Sequence, residues 1–237
     1  MIKIVADPGC NWKDISDLKM MMKQCKEIGV DSFKPQLWEC DALYHEKSKW
    51  YDWQKSHELT KENAQDIFNY GKEIGLHTFF SVFDTKRVEW CEEMGVDTYK
   101  VAASMVFDTN LREAISETGK KTIVSDSLQF MSTYGNKRLS NDELLLYCVS
   151  LYPAPENLIN QNHLELWNGF SDHTTGIEMA LIAAEKVTKA GILEEYIIEK
   201  HIMIDSIMKL ESPDGCCAIG IEEMTELVKK IREMEIE

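Results

Sequence analysis

Short apolar runs alternate with longer amphipathic stretches from one end of the chain to the other. Residues 2–6 (IKIVA), 77–82 (HTFFSV), 121–124 (KTIV), 144–149 (LLLYCV) and 196–199 (YIIE) are compact and mostly apolar, the pattern of strands buried on both faces. Shorter strands are predicted at 31–33, 98–102 and 168–170. Between the strands, residues 17–28, 60–74, 86–94, 110–117, 176–190 and 222–234 repeat their apolar positions three and four apart, which predicts helices. Several of these stop at Gly29, Gly75, Gly95, Gly119 or Gly191, the residue type that closes a helix in a left-handed turn with least strain. A further helix is predicted over 157–166, and 128–139 shows no helical spacing.

Strand followed by helix, repeated along the chain, is the signature of a parallel sheet. Eight such units fit the 237 residues at roughly 30 residues each, the size of a (β/α)8 TIM barrel. The fold class predicted is therefore α/β, a single barrel domain over residues 1–237. An open doubly wound sheet is the alternative, but the first strand runs into PGCNWKD rather than a G-x-G-x-x-G turn, and no Walker sequence occurs. One connection is long. Residues 35–59 carry Trp38, Trp50 and Trp53 with Tyr44 and Tyr51, and are expected to form an aromatic loop over the C-terminal face.

Composition narrows the partners. Lys and Arg total 26 against 41 Asp and Glu, a formal net charge of −15, so nucleic acid and anionic membrane surfaces are poor candidates. No apolar run approaches the ~20 residues of a membrane span, and the start lacks a signal-peptide pattern. Seven scattered cysteines with no C-x-x-C pair suggest reduced thiols and a cytoplasmic location.

In a barrel the chemistry gathers at the C-terminal ends of the strands. Those ends hold Asp7, Lys34, Ser81, Lys100, Ser125, Ser150, Asp172 with His173, and Glu199 with His201. Two histidines after adjacent strands suit a divalent metal with open positions for water and substrate. Glu199 and Asp172 are candidates to support the ligands or hold water. Lys34 and Lys100 are expected to wait for an anionic substrate, which would invert the acidic field locally. His45, His57, His77 and His163 read as structural.

The segments VADPGCNW, GVDSFKPQ, GVDTYKVAAS, CVSLYPAPENLIN, DHTTG and IEKH, in that order, resemble the N-acetylneuraminate (sialic acid) synthase family. The resemblance implies a barrel enzyme that condenses phosphoenolpyruvate with an N-acylated amino sugar, releasing phosphate and forming a nonulosonic acid. It implies a divalent metal, Mn2+ or Mg2+, on His173 and His201. It implies phosphoenolpyruvate contacts from Lys34, Lys100 and Ser171, with Ser104 and Ser150 near positions where the family has polar contacts. Gln36, Tyr152 and Asp214 match sugar contacts. Asp7 stands where the family has a glutamate near the reacting centre, and Glu199 matches the glutamate before the metal histidine. A homodimer is compatible with barrels that meet through helix faces.

Departures from the family pattern occur at Asp7, Trp12, Phe80, Ala103, Asp126, Tyr147 and Ser150. Read from sequence, several of these erode the phosphoenolpyruvate end of the site, and they keep open a different donor on the same barrel or a non-catalytic sugar binder. The family's C-terminal antifreeze-like domain is absent from these residues, and the 35–59 loop is the expected substitute cover.

Overall fold

Ten parallel strand segments carry the architecture: β1 (Ile2–Asp7), β2 (Ser32–Phe33), β3 (Gln36–Leu37), β4 (His77–Thr78), β5 (Phe80–Val82), β6 (Thr98–Val101), β7 (Lys121–Asp126), β8 (Glu143–Cys148), β9 (Gly169–Asp172) and β10 (Tyr196–His201). They are seen in a computed structural model that describes residues 1–127, 143–192 and 195–236. The predicted stretch 128–139 lies outside the described residues.

Their hydrogen-bonded order is β3-β5-β6-β7-β8-β9-β10-β1-β2-β4. The two ends of that order are halves of the same strands. β2 pairs with β4 and β3 with β5, while Pro35, which has no N–H to give, interrupts the ladder between the halves. Backbone bonds from Phe79 N to Phe33 O (3.3 Å), Ser81 N to Pro35 O (2.9 Å) and Phe83 N to Leu37 O (3.2 Å) carry the pairing across the break. β10 pairs with β1 at the other side, from Ile2↔Tyr196 to Asp7↔His201. Eight strand positions thus close on themselves, and the predicted barrel is what forms.

The helices follow the predicted spacing. They are α1 (Ile15–Ile28), α2 (Cys40–Leu43), α3 (Tyr51–Ser56), α4 (Lys61–Ile74), α5 (Thr85–Met94), α6 (Thr109–Glu117), α7 (Glu178–Lys189), α8 (Met208–Glu211) and α9 (Ile221–Met234). Asp14 opens α1 with a capping box completed by Asp17, and Gly29 closes it at φ 89°. Two expectations change. The 35–59 connection is not a bare loop, because it holds β3, α2 and α3. The helix predicted over 157–166 is replaced by two short 3-10 turns, Glu156–Leu158 and Gln161–His163. Asn160 explains the second change. Its side chain accepts from Asn162 N at 3.1 Å and its N–H donates to the Tyr147 hydroxyl at 3.0 Å, so local bonds replace the helical ladder.

Strand side chains alternate between the helices outside and the barrel interior. Ile4, Phe33, Phe80, Tyr99, Phe170 and Ile198 are fully buried in the main apolar cluster. At the C-terminal end, the inward positions of the same strands carry the polar residues described next. Among the described residues no helix is long and apolar enough to cross a membrane. All seven cysteines are free.

Candidate active site

A cavity of about 410 Å³ opens at the C-terminal end of the barrel. The twelve residues expected from sequence to act in catalysis, substrate binding or metal binding all line it: Asp7, Lys34, Gln36, Lys100, Ser104, Ser150, Tyr152, Ser171, His173, Glu199, His201 and Asp214. Strand register brings them together. Gln36 lies beside Ser81, and Ser81 beside Lys100, on three successive barrel strands. Asp7 is paired with His201, and Glu199 with Ser171.

Glu199 is the electrostatic hub. Its Oε2 is 3.2 Å from Lys34 Nζ and its Oε1 is 3.3 Å from Lys100 Nζ. Ser171 Oγ donates to Oε1 at 2.8 Å. Lys34 also meets Asp7 Oδ2 at 2.7 Å, and Lys100 donates to Ser125 Oγ at 2.7 Å. Gln36 Nε2 reaches both Asp7 oxygens at 3.1 Å. Burial works against the Glu199 carboxylate, but Lys100 and Lys34 outweigh it and hold the group well below its ordinary range. Burial likewise opposes ionised Asp7, and Lys34 and His201 outweigh it. Lys34 is raised, because Asp7 and Glu199 overcome its desolvation. Lys100 is lowered, since burial dominates and Lys34 repels it. Asp214 is raised by burial.

The expectation of lysines waiting for an anion is corrected by this geometry. Asp7 and Glu199 already pair them, so the cavity joins two lysines to three carboxylates rather than presenting a bare positive field.

His173 and His201 face one another with ring centroids 5.6 Å apart. His173 Nδ1 is 2.9 Å from Val149 O, an acceptor, which fixes the proton on Nδ1 and leaves Nε2 as the ring's acceptor. Burial and neighbouring His201 pull the His173 imidazolium down to about 3. Nε2 is 3.3 Å from the Tyr152 hydroxyl and 3.4 Å from Ser171 Oγ. Among the described residues, His201 Nδ1 is buried without a hydrogen-bond partner. Among the described residues no group of three or more His, Cys, Asp or Glu side chains is arranged to hold a metal. Two imidazoles beside open cavity fit a divalent ion that keeps water or substrate oxygens, and not a closed four-ligand zinc site.

The comparisons with known proteins decide the family. The NeuB family model matches residues 21–237. The chain belongs to the NeuB family. An uncharacterized protein of Methanocaldococcus jannaschii is 31% identical over 98% of this chain and 70% of its own length. Human N-acetylneuraminate-9-phosphate synthase is 25% identical over 98% of this chain and 70% of its own. The crystal structure of an N-acetylneuraminic acid synthetase from Leptospira borgpetersenii superposes with a TM-score of 0.85 at 23% identity, covering 98% of this chain and 83% of that one, a likeness of fold.

Within this NeuB member, strand parity sorts the sequence departures. Phe80, Asp126 and Tyr147 do not line the cavity, because their neighbours Ser81, Ser125 and Cys148 or Leu146 take the inward positions. Phe80 packs against Phe68 on α4, with ring centroids 6.3 Å apart. Trp12 donates from Nε1 to Gly9 O at 2.9 Å. Only Asp7, Ala103 and Ser150 among the departures border the cavity. Asp172 is a further correction: it points outward, its Oδ2 3.0 Å from Lys200 Nζ with both side chains fully buried, and has no access to bound water in the cavity.

Four further residues contribute, three of them named from sequence at strand ends or in the long connection but given no role. Ser81 Oγ is buried in the lining with no hydrogen-bond partner among the described residues, a hydroxyl left for a ligand. Ser125 holds Lys100. Tyr44 and Gln54 enter from the 35–59 connection. The two serines and Tyr44 are already marked by their places at strand ends and in the aromatic connection, whereas nothing in sequence flags Gln54.

Proposed function

We propose that this NeuB-family chain condenses phosphoenolpyruvate with the open-chain aldehyde of an N-acylated amino sugar, giving a nonulosonic acid and inorganic phosphate. The carrying observation is the pairing of two cavity lysines through Glu199 opposite two facing imidazoles. The named activity of the human relative agrees with it. A divalent ion, Mn2+ or Mg2+, is held by His173 and His201, and when bound it supplies Lewis acidity toward the sugar's aldehyde oxygen.

The chain's own groups do the rest. Lys34 and Lys100, with the unpartnered Ser81 hydroxyl beside Lys100, bind the phosphate and carboxylate oxygens of the donor. Because Glu199 and Asp7 pair the lysines beforehand, the ammonium groups are positioned before the donor arrives. C3 of phosphoenolpyruvate then attacks the aldehyde carbon. Water adds at C2, and the C–O bond to phosphate breaks to leave the ketone. Asp7 and Glu199 are the carboxylates placed to orient that water; one of its protons completes the new hydroxyl at the former aldehyde carbon, and the other leaves with the phosphate. The donor reading gains from strand parity, since the substitutions at Phe80, Asp126 and Tyr147 lie off the cavity.

The test is phosphate release from phosphoenolpyruvate with Mn2+ and N-acetylmannosamine, followed by a panel of diacetamido sugars. Release that depends on both the sugar and the metal, and that falls at least about hundredfold in His173→Ala, supports the reading. Phosphoenolpyruvate that neither binds nor reacts refutes it in favour of another donor.

A further inference from the structure

Gln54 lies on α3 inside the long connection, is 4% exposed, and lines the cavity. Its Oε1 accepts the Cys10 Sγ–H at 3.0 Å. Burial pushes the Cys10 thiol well up, so the sulfur stays protonated and donates. The amide orientation follows: oxygen toward sulfur, nitrogen away from it. Nε2 makes no hydrogen bond among the described residues.

Cys10 fixes more than Gln54. Its carbonyl accepts from Trp53 Nε1 at 3.1 Å. Asp214 in turn sits where a Cβ on Gly9 would fall 2.6 Å from its Oδ2 and 3.2 Å from His201 Nδ1. The Gly9–Cys10 turn therefore brings the α3 amide, Asp214 and the neighbourhood of His201 together on one wall of the cavity. The two lysines are engaged elsewhere, with Asp7, Glu199 and Ser125. This wall carries no cation and suits the neutral reactant.

We propose that the Gln54 carboxamide, held by Cys10, donates its free N–H to the acyl carbonyl oxygen of the acceptor sugar and thereby selects N-acylated acceptors. The inference rests on the condensation reading above. With Oε1 engaged, the amide offers donors alone, which match an oxygen that only accepts. A hydroxyl can both donate and accept, and the Asp214 carboxyl can take its proton. The rings of Tyr44 and Phe83 line the same cavity and offer apolar surface for the acyl methyl. Cys10 is a positioning residue here.

The experiment compares N-acetylmannosamine with mannose, which lacks the acyl group, in the full chain with Mn2+, and measures phosphoenolpyruvate affinity alongside. In Gln54→Leu and in the near-isosteric Gln54→Glu, KM for N-acetylmannosamine rises at least tenfold toward the value for mannose. Mannose and phosphoenolpyruvate stay within twofold of the wild type. Cys10→Ala gives a smaller rise, and Cys10→Ser, which keeps a donor, restores most of it. Equal effects on both sugars, or none on either, overturn the inference and leave the condensation reading standing. A wild-type chain that binds phosphoenolpyruvate but neither sugar overturns the acceptor reading itself, and the role of Gln54 falls with it.

Discussion

Glu199 shows how much of this site depends on one carboxylate shared by two buried ammonium groups. Lys100 is the disfavoured partner, lowered by burial and by Lys34. A charge kept against its own desolvation is retained for what it binds rather than for stability. Lys100→Met should leave the thermal midpoint unchanged or raise it by a few degrees, since Glu199 keeps Lys34 and Ser171 as partners. Turnover should fall at least ~100-fold, because a charge facing the donor phosphate is gone. Calorimetry and a phosphate-release assay check the two halves, and a large loss of midpoint would place Lys100 in the framework. At this scale the sequence was highly informative. Ten polar residues could be named at strand ends because barrel chemistry collects there, and all but Asp172 reach one cavity, joined there by Gln36, Ser104, Tyr152, Ser171 and Asp214 from the family resemblance. What sequence could not give was facing. Asp172 and His173 are adjacent letters, yet one turns out to Lys200 and the other in to Tyr152. Parity requires the strand register, which single-sequence patterns leave undefined by one residue.

The long connection poses the same problem for elements. Three tryptophans announced a special segment, but its two short helices carry no sustained periodicity, and isolated helices of this length do not form on propensity alone. Tertiary contacts hold them. Arg87, on α5 and 3% exposed, reaches Glu39 Oε2 at 3.1 Å, Trp38 O at 3.1 Å, Glu58 Oε1 at 3.5 Å and Asp84 Oδ2 at 3.2 Å. His57 adds ring contacts to Trp12 and Trp53, so its structural reading stands. A planar guanidinium can bridge both ends of the connection at once, and a single ammonium cannot. Arg87→Met should therefore destabilise the chain by roughly 2–4 kcal/mol, since it strands acidic and carbonyl groups beneath the segment. Proteolysis within residues 38–58 should quicken about tenfold, with Arg87→Lys recovering little of the loss. Urea midpoints and a timed digest read both effects. Digestion that begins elsewhere, with 38–58 as resistant as in the wild type, would show that the connection is held by its aromatics alone. The 157–166 segment failed the other way: its spacing read as helix, but Asn160 offers the backbone better local partners.

For the whole molecule, closure and charge act on the site together. Closure puts β10 against β1 and so brings His201 beside Asp7 across the two ends of the chain, a contact that only the completed barrel makes. Charge then sets what can approach. The chain carries a formal −15, and the cavity proposed to take a phosphorylated, carboxylated donor holds three carboxylates beside its two lysines. Exposed charge acts on an incoming anion over a Debye length of about 10 Å at 0.1 M salt, whereas buried contacts at ~3 Å are screened far less. Salt should therefore weaken the long-range repulsion more than the lysine contacts. Between ~10 and ~150 mM potassium chloride, KM for phosphoenolpyruvate should fall two- to threefold at saturating sugar. KM for the neutral sugar should stay constant, which separates charge from any general effect of salt on the fold. The usual behaviour of a lysine-lined anion site is the reverse, a KM that climbs with salt. A climbing KM here would mean that the field of Lys34 and Lys100 escapes Asp7 and Glu199 and reaches the mouth of the barrel, so that the acidic exterior has no part in admitting the donor.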